Sequence, residues 1–296
     1  SAPSEGMLGG IFKTDMTAPP ASSTTFLVDL EDLGADLGFI GNDAARNLVT
    51  VKTNPDIDAT AFAKIGKAGI GDIDLTPDGN YLFYTNLFAR KLGRVRVDDD
   101  NNPSTPYTLV AGDLVEFDLP ATSCSGSGVL RPWGLKVYNG KVYVGAVCDG
   151  AGGTKADLRA LVFTFDLTSG SFDATPAFDI PLTYPKGYPY SVVPSLTGWH
   201  PWEDDFSVID RGAASTGIFY VCHPVPVLSD IEFDIDGTMV LGFMDRTSQQ
   251  MGYRDYSPNG VSKLYSTLAG GDVLRAYFSD GNYILENNAK SGPTVG

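Results

Sequence analysis

The chain has 296 residues, of which 43% are hydrophobic, 34 are glycine and 19 are proline, a balance typical of a globular protein with many turns. Its formal net charge of -15 at pH 7 argues against DNA or RNA as a partner, because nucleic-acid binders need clustered Lys and Arg residues. No apolar run approaches the roughly 20 residues that cross a bilayer, so no transmembrane segment is predicted.

The composition changes at both ends of the sequence. Residues 1–24 are rich in Ser, Pro, Ala and Gly, which predicts a flexible linker. Residues 25–287 are predicted to form a single folded domain. Residues 288–296 are again small and polar, which predicts an exit into a following segment, so the chain is expected to be a piece of a longer protein.

Between these ends, short runs of β-branched and aromatic residues alternate with Asp-Gly and Asn-Gly pairs, which predicts an all-β fold. Residues 72–84, 134–145 and 230–242 share one pattern of strand, tight turn and strand, and residues 273–285 repeat it more weakly. Glycine suits such turns because it adopts positive φ without steric cost. Further strand candidates follow these hairpins, and four strands per repeat predict a β-propeller of about six or seven blades, some of them irregular. The uneven spacing leaves a β-sandwich with a few similar hairpins as the alternative.

A long insertion over residues 186–211 is dense in proline, aromatic and acidic residues. Aromatic faces beside carboxylates suit stacking on sugar rings or a protein interface, so this insertion is the predicted ligand-binding surface. Its predicted residues are Tyr188, Tyr190, Trp199, His200, Trp202, Glu203 and Asp204. The alternative is that the aromatic side chains fold back and cover one face of the domain.

Four polar residues at the ends of predicted strands are candidate metal ligands: Asp72, Asn86, Asp230 and Asp245. If these side chains converge in a central channel, they could hold a divalent cation such as calcium, as in propeller hydrolases. The alternative is that Asp72 and Asp230 accept hydrogen bonds from backbone amides and tie neighbouring sheets together. The acidic run 98–102 lacks the Gly and Glu of an EF-hand loop and is predicted to be a solvated turn.

The cysteines and histidines complete the candidate residues. Cys124 and Cys148 flank one predicted hairpin, which predicts a disulfide in an oxidising compartment, with Cys222 as the competing partner or a buried thiol. The chain has two histidines, His200 and His223, and no Gly-x-Ser-x-Gly elbow. A Ser-His-Asp triad is therefore not predicted.

Several ordered motifs of the chain, at residues 68–75, 84–87, 90–92, 131–136, 141–148, 229–237 and 242–246, resemble a propeller-like region of large bacterial cell-surface proteins. Those proteins often continue into SdrD-B-like repeats. The likeness covers roughly residues 60–287, and a more distant one links the same hairpin rhythm to NHL-type and gluconolactonase-like propellers. The resemblance implies an extracellular or cell-surface location and a propeller architecture, and it implies no activity or functional residue.

Together these observations predict a non-enzymatic extracellular surface module, a scaffold or adhesin, whose partners are other surface proteins or glycans. Self-association is left open. One alternative is a metal-dependent propeller hydrolase that acts on lactones or phosphoesters. The other is a glycan-binding module that uses the insertion.

Overall fold

The computed structural model describes residues 7–14, 24–51, 53–98, 108–186, 198–209, 213–215 and 218–287. Strands dominate these residues, and each helix has at most six residues, which confirms the all-β class. The strands are β1 (Gly10–Thr14), β2 (Thr24–Asp29), β3 (Ile70–Leu75), β4 (Tyr81–Asn86), β5 (Lys91–Arg96), β6 (Leu114–Asp118), β7 (Leu130–Tyr138), β8 (Lys141–Cys148), β9 (Arg159–Asp166), β10 (Ser171–Phe172), β11 (Phe178–Pro181), β12 (Ala213–Ser215), β13 (Ile218–Val221), β14 (Pro226–Phe233), β15 (Met239–Asp245), β16 (Tyr253–Ser257), β17 (Gly260–Thr267), β18 (Asp272–Ser279) and β19 (Asn282–Leu285). The helices are α1 (Ala59–Lys64), α2 (Phe206–Ile209) and α3 (Arg246–Met251), with 3-10 turns at Ala111–Asp113 and Lys155–Asp157.

Three antiparallel sheets form the body of the domain. The first sheet has the order β3-β4-β5-β6, the second has the order β7-β8-β9-β10 with β11 also paired to β9, and the third has the order β14-β15-β18-β19. A fourth sheet, β12-β13-β17-β16, contains a parallel pair, β13 with β17, and β1 pairs with β2 in a separate ribbon. In the described part of the chain no helix is both long and apolar enough to cross a membrane.

The four predicted hairpins are confirmed as β3–β4, β7–β8, β14–β15 and β18–β19. The turn between β7 and β8 places Asn139 at φ 49° and Gly140 at φ 79°. Asp280 and Gly281 repeat this geometry between β18 and β19, at φ 51° and φ 82°. Two successive positive φ angles match the right-handed twist of a two-residue hairpin, which explains why Asn-Gly and Asp-Gly occupy these turns.

The first, second and third sheets stack face to face, with the second sheet in the middle. Strands β8 and β9 are therefore buried along almost their whole length, whereas β15 alternates between buried and half-buried residues. Buried residues between the first and second sheets include Phe83, Leu92, Leu135, Val142, Val144 and Phe165. Buried residues between the second and third sheets include Val147, Ala160, Val162, Leu228, Ile231 and Leu241.

The leading strands of the three sheets run close together, since β7 packs beside both β3 and β14. A Cβ atom at Gly134 in β7 would lie 2.7 Å from the backbone nitrogen of Asp230 in β14, so only glycine fits there. On the other side of β7, the Asp72 carboxylate accepts a hydrogen bond of 2.9 Å from the Leu135 N–H, and Asp74 accepts one of 2.9 Å from the Val137 N–H. The sheets are thus joined by side-chain acceptors on one side of β7 and by close backbone packing on the other.

The predicted ring of six or seven blades is not found. The described residues form an open stack of three sheets, and the fourth sheet breaks the regular pattern because its strand pairs alternate in the sequence with the hairpins of the third sheet and include a parallel pair. Local hairpin signals do not encode which hairpin joins which sheet. Strand β1 lies within residues 1–24, the segment predicted to be a linker, and its residues 10–14 pair with β2. The other predicted domain boundaries stay predictions.

Candidate functional site

The predicted ligand-binding insertion is fastened to the body of the domain through its tryptophans. Trp202 is 3% exposed and its indole N–H donates to the Pro226 carbonyl at 2.8 Å. Trp199 is 1% exposed and its indole N–H donates to the Tyr184 hydroxyl at 3.2 Å. These indoles belong to the core, so the expectation that they offer a flat face to a ligand is not met. Burying an aromatic side chain removes apolar surface from water and stabilises the fold, so an indole turns inward unless a bound partner would cover it.

A buried guanidinium packs against Trp202. Arg246 is fully buried, and its carbon Cζ lies 4.6 Å from the centroid of that indole ring. Its nitrogens donate at 2.8 Å to the carbonyls of Ile65 and Glu203 and to the carboxylate of Asp204. Since these acceptors belong to two separate segments, Arg246 stabilises the insertion against the loop that follows α1.

The remaining predicted residues of the insertion have mixed surroundings. Asp204 also forms an ion pair with Lys67, and although burial raises its pKa, the hydrogen bond from Lys67 and the charge of Arg246 bring it below the ordinary value. His200 is half-buried and stacks on His223, with ring centroids 4.0 Å apart. Glu203 is half-buried and accepts from the backbone N–H of Asp204 at 2.8 Å. Tyr188 and Tyr190 lie outside the described residues, as do residues 99–102 of the predicted acidic turn.

The four candidate metal ligands are not brought together. Among the described residues no group of three or more His, Cys, Asp or Glu side chains could hold a metal ion. Asn86 is fully buried and its amide nitrogen donates to the Asp36 carbonyl at 2.9 Å and to Glu116 at 2.7 Å. Its amide oxygen accepts from the backbone N–H groups of Phe88 and Ala89. Calcium binding therefore stays a prediction without a site in the described part of the chain.

Asp245 is 1% exposed and binds backbone groups with both carboxylate oxygens. One oxygen accepts from the N–H groups of Val225 (2.9 Å) and Thr247 (3.0 Å), and the other accepts from Gly270 (3.0 Å). Burial raises its pKa to about 6, although the three N–H groups act to lower it. The carboxylate connects β15, the loop before β14 and the loop before β18, which is a structural arrangement.

The two aspartates at equivalent hairpin positions differ in their surroundings. Asp72 is half-buried between the first and second sheets and holds Leu135, as the structural alternative expects. Asp230 is exposed, and no hydrogen bond joins its carboxylate to a described residue. Asp72 in β3 accepts from an N–H of the neighbouring strand β7. Among the described residues no strand of a further sheet lies beside β14 in the same way, so the Asp230 carboxylate has no equivalent backbone N–H to accept from.

The predicted disulfide is confirmed between Cys124 and Cys148, whose Cα atoms lie 5.4 Å apart. It joins the loop before β7 to the end of β8. Cys222 is a free buried cysteine, and burial raises the pKa of its thiol to about 11.

A cleft that the sequence did not indicate opens between the second and third sheets, at the end where the turns 139–140 and 280–281 lie. Its cavity volume is about 540 Å³, within the range of small-molecule pockets. The lining includes Lys141, Tyr143, Asp173, Phe278 and Tyr283. The sequence does contain a signal for these aromatic residues, since Tyr143 follows the turn glycine Gly140 by three residues and Tyr283 follows Gly281 by two. The sequence does not indicate that the two hairpins face each other across a cleft.

Comparison with known proteins finds similarity to three proteins of Dictyostelium discoideum. The chain is 28% identical to colossin-A over 240 residues, 23% identical to colossin-C over 244 residues and 26% identical to colossin-B over 242 residues. These matches cover 79%, 80% and 76% of the chain, but only 2%, 20% and 5% of the respective relatives. The chain thus spans a fifth or less of the length of the curated relatives it matches.

These relatives correct the predicted resemblance. The matched proteins come from Dictyostelium, a eukaryote, and no family model matches the chain, so the resemblance to bacterial cell-surface proteins and to NHL-type or gluconolactonase-like propellers is wrong. The motifs behind it are strand-turn-strand hairpins, which unrelated β proteins share because the turn chemistry is the same.

Among solved structures, an endo-1,4-beta-xylanase from Bacteroides thetaiotaomicron is 13% identical with a TM-score of 0.36, and the alignment covers 73% of this chain and 57% of the xylanase. A polysaccharide lyase, an ulvan lyase, is 11% identical with a TM-score of 0.34, over 77% of this chain and 44% of the lyase. Scores at this level assign neither a shared fold nor a shared function.

Proposed function

We propose that the chain is a non-enzymatic structural module of an extracellular protein, a scaffold or adhesin whose partners are other surface proteins or glycans. The observation that carries the proposal is that three charged side chains, two of them buried and one half-buried, bind backbone groups. Asp245 and Arg246 each bind backbone groups from separate segments, and Asp72 joins two sheets. Charged side chains whose hydrogen bonds all go to the backbone or to other side chains stabilise the fold, and they are not available to act on a substrate.

The disulfide supports the extracellular location. Disulfides persist in oxidising compartments and are rare in the cytosol, where thiols are kept reduced. The bond between Cys124 and Cys148 closes a loop that contains β7 and most of β8, in the central sheet of the stack. The small share of the colossins that the chain spans is consistent with one module of a larger protein.

The hydrolase alternative has less support from the described residues. A catalytic cation needs carboxylates with free oxygens around an open coordination position. Both oxygens of Asp245 accept backbone hydrogen bonds, and the amide group of Asn86 is similarly occupied. Asp230 is the exposed member of the set, and among the described residues it belongs to no group of three or more His, Cys, Asp or Glu side chains that could hold a cation.

Antibody staining of the source cells tests the proposal. An antibody raised against the chain should stain intact cells as strongly as permeabilised cells, and external protease should remove the signal. Staining that requires permeabilisation would overturn the extracellular assignment. Turnover of a lactone or phosphoester by the purified chain with calcium, lost in Asp230→Ala, would replace the scaffold with the hydrolase.

A further inference from the structure

We propose that the cleft between the second and third sheets binds a neutral saccharide. The lining combines exposed aromatic surface with a charge-balanced polar group, and these are the two components that recognition of a sugar ring needs. The inference rests in part on the proposed function, because it specifies glycans as a partner and locates the contact.

The shape of the cleft follows from the ends of two sheets. Lys141, Tyr143 and Thr164 project from the second sheet toward the third, and residues 173–177 connect β10 to β11 along one side. The hairpin of β18 and β19 forms the opposite wall with Phe278 and Tyr283. Two walls of the cleft are therefore strand residues, which hold them in fixed positions, and the loop 173–177 closes the side between them.

Aromatic side chains provide the apolar part of the lining. Phe278 packs edge-on against Tyr283, with ring centroids 5.1 Å apart and an angle of 61° between the rings, and it remains 57% exposed. Tyr283 in turn packs edge-on against Tyr143 at 6.5 Å, and burial together with their hydrogen bond raises the pKa of the Tyr283 phenol. An exposed ring supported from behind can stack on the apolar face of a pyranose at little conformational cost.

The polar part of the lining is electrically balanced. The Asp173 carboxylate accepts from the Lys141 ammonium at 2.7 Å and from the Thr164 hydroxyl at 2.6 Å. The two charged side chains keep 47% and 35% of their surface exposed, so both can still reach a ligand. The amide of Asn282 adds a donor and an acceptor.

This balance selects the chemical class of the ligand. A carboxylate paired with an ammonium group has no net charge, so it favours a ligand with neutral groups that both donate and accept, as vicinal hydroxyl groups do. An acidic glycan would in addition meet the repulsion of a chain with a formal charge of -15. A neutral saccharide satisfies both the aromatic wall and the paired charges.

A printed array of neutral and acidic glycans tests the inference with the full chain. The wild type should bind neutral glycans, and titration calorimetry with the strongest one should show a Kd about two- to twelvefold weaker for Phe278→Ala, since stacking is worth about 0.5–1.5 kcal/mol. Asp173→Asn, which keeps the shape of the side chain, should weaken binding to a similar degree or more.

Phe39→Ala is the matched control, because Phe39 is 78% exposed and does not line the cleft. It should bind as the wild type does, and all three variants should melt near the wild-type temperature. Absence of binding to any neutral glycan, binding to acidic glycans alone, or binding that Phe278→Ala leaves unchanged would overturn the inference. Extracellular staining together with a negative array would refute saccharide binding by the cleft but leave the proposed function in place.

Discussion

Arg246 shows how a single buried charge organises this protein. Its side chain has no exposed surface, and it donates to the Ile65 and Glu203 carbonyls and to the Asp204 carboxylate while it covers one face of Trp202. A guanidinium is suited to this position because its planar set of donors can satisfy several acceptors at once. The contacts of Arg246 help to explain why Trp202 of the insertion turns inward.

Arg246→Met should lower the free energy of unfolding by about 3–5 kcal/mol, because it removes three hydrogen bonds made by a buried guanidinium, each contributing at least about 1 kcal/mol. Arg275→Met is the control, since Arg275 keeps 43% of its side chain exposed and pairs with Asp234 at the surface, where such a pair contributes about 0–1 kcal/mol. Urea denaturation of both variants measures the difference. Equal effects would show that burial of Arg246 does not determine its contribution.

Asp245 gives a prediction for the pH dependence of stability. Burial raises its pKa to about 6 in the folded protein, whereas an unfolded Asp titrates near about 3.9. Between these values the folded protein holds a proton that the unfolded chain has lost, so the contribution of this group to stability is present at low pH and is lost as the pH rises toward 6.

Asp245→Asn removes that titration. The wild type, measured relative to this variant, should therefore lose stability between pH 4 and pH 6, by about 3 kcal/mol for a full shift of this size. Denaturation curves at a series of pH values measure the difference between the two proteins. A constant difference, or a wild type that gains stability over the same window, would contradict the assignment.

At the scale of elements, the hairpins could be predicted from the sequence and their partners could not. The turns at Asn139-Gly140 and Asp280-Gly281 are local signals, because the required positive φ angles restrict the residues that occupy them. The parallel pair of β13 with β17 joins residues more than forty positions apart, and no local pattern marks it. Stacking order is equally non-local, so the hairpin repeats predict a ring of blades where the structure has an open stack.

The aspartates at equivalent positions of two hairpins, Asp72 and Asp230, are expected to contribute differently to stability. Asp72→Ala should lower the free energy of unfolding by about 1–3 kcal/mol, because the Leu135 N–H between the first and second sheets loses its acceptor. Asp230→Ala should change it by less than about 0.5 kcal/mol, since Asp230 is exposed. Thermal or urea denaturation distinguishes the two. Similar losses would indicate that Asp230 holds a contact outside the described residues.

At the scale of the whole molecule, the chain is a stack of sheets whose interior groups are used to hold it together. The disulfide was predictable, because Cys124 and Cys148 flank one hairpin and the pairing of β7 with β8 brings the segments together. The proposed ligand site in the cleft was not predictable. The density of aromatic residues pointed instead to the insertion, where Trp199 and Trp202 are buried. Composition shows that aromatic side chains are present, and only packing decides which of them face solvent.

Single-molecule pulling from the two chain ends tests the central claim, that the chain is a disulfide-locked structural module. The bond joins residues 24 positions apart, and an extended residue spans at most about 3.3–3.6 Å, so reductant should lengthen the fully unfolded chain by about 80 Å. We expect discrete unfolding steps under load, and in Cys124→Ser a length that does not depend on reductant. Extension without resistance, or the same wild-type length with and without reductant, would contradict the account.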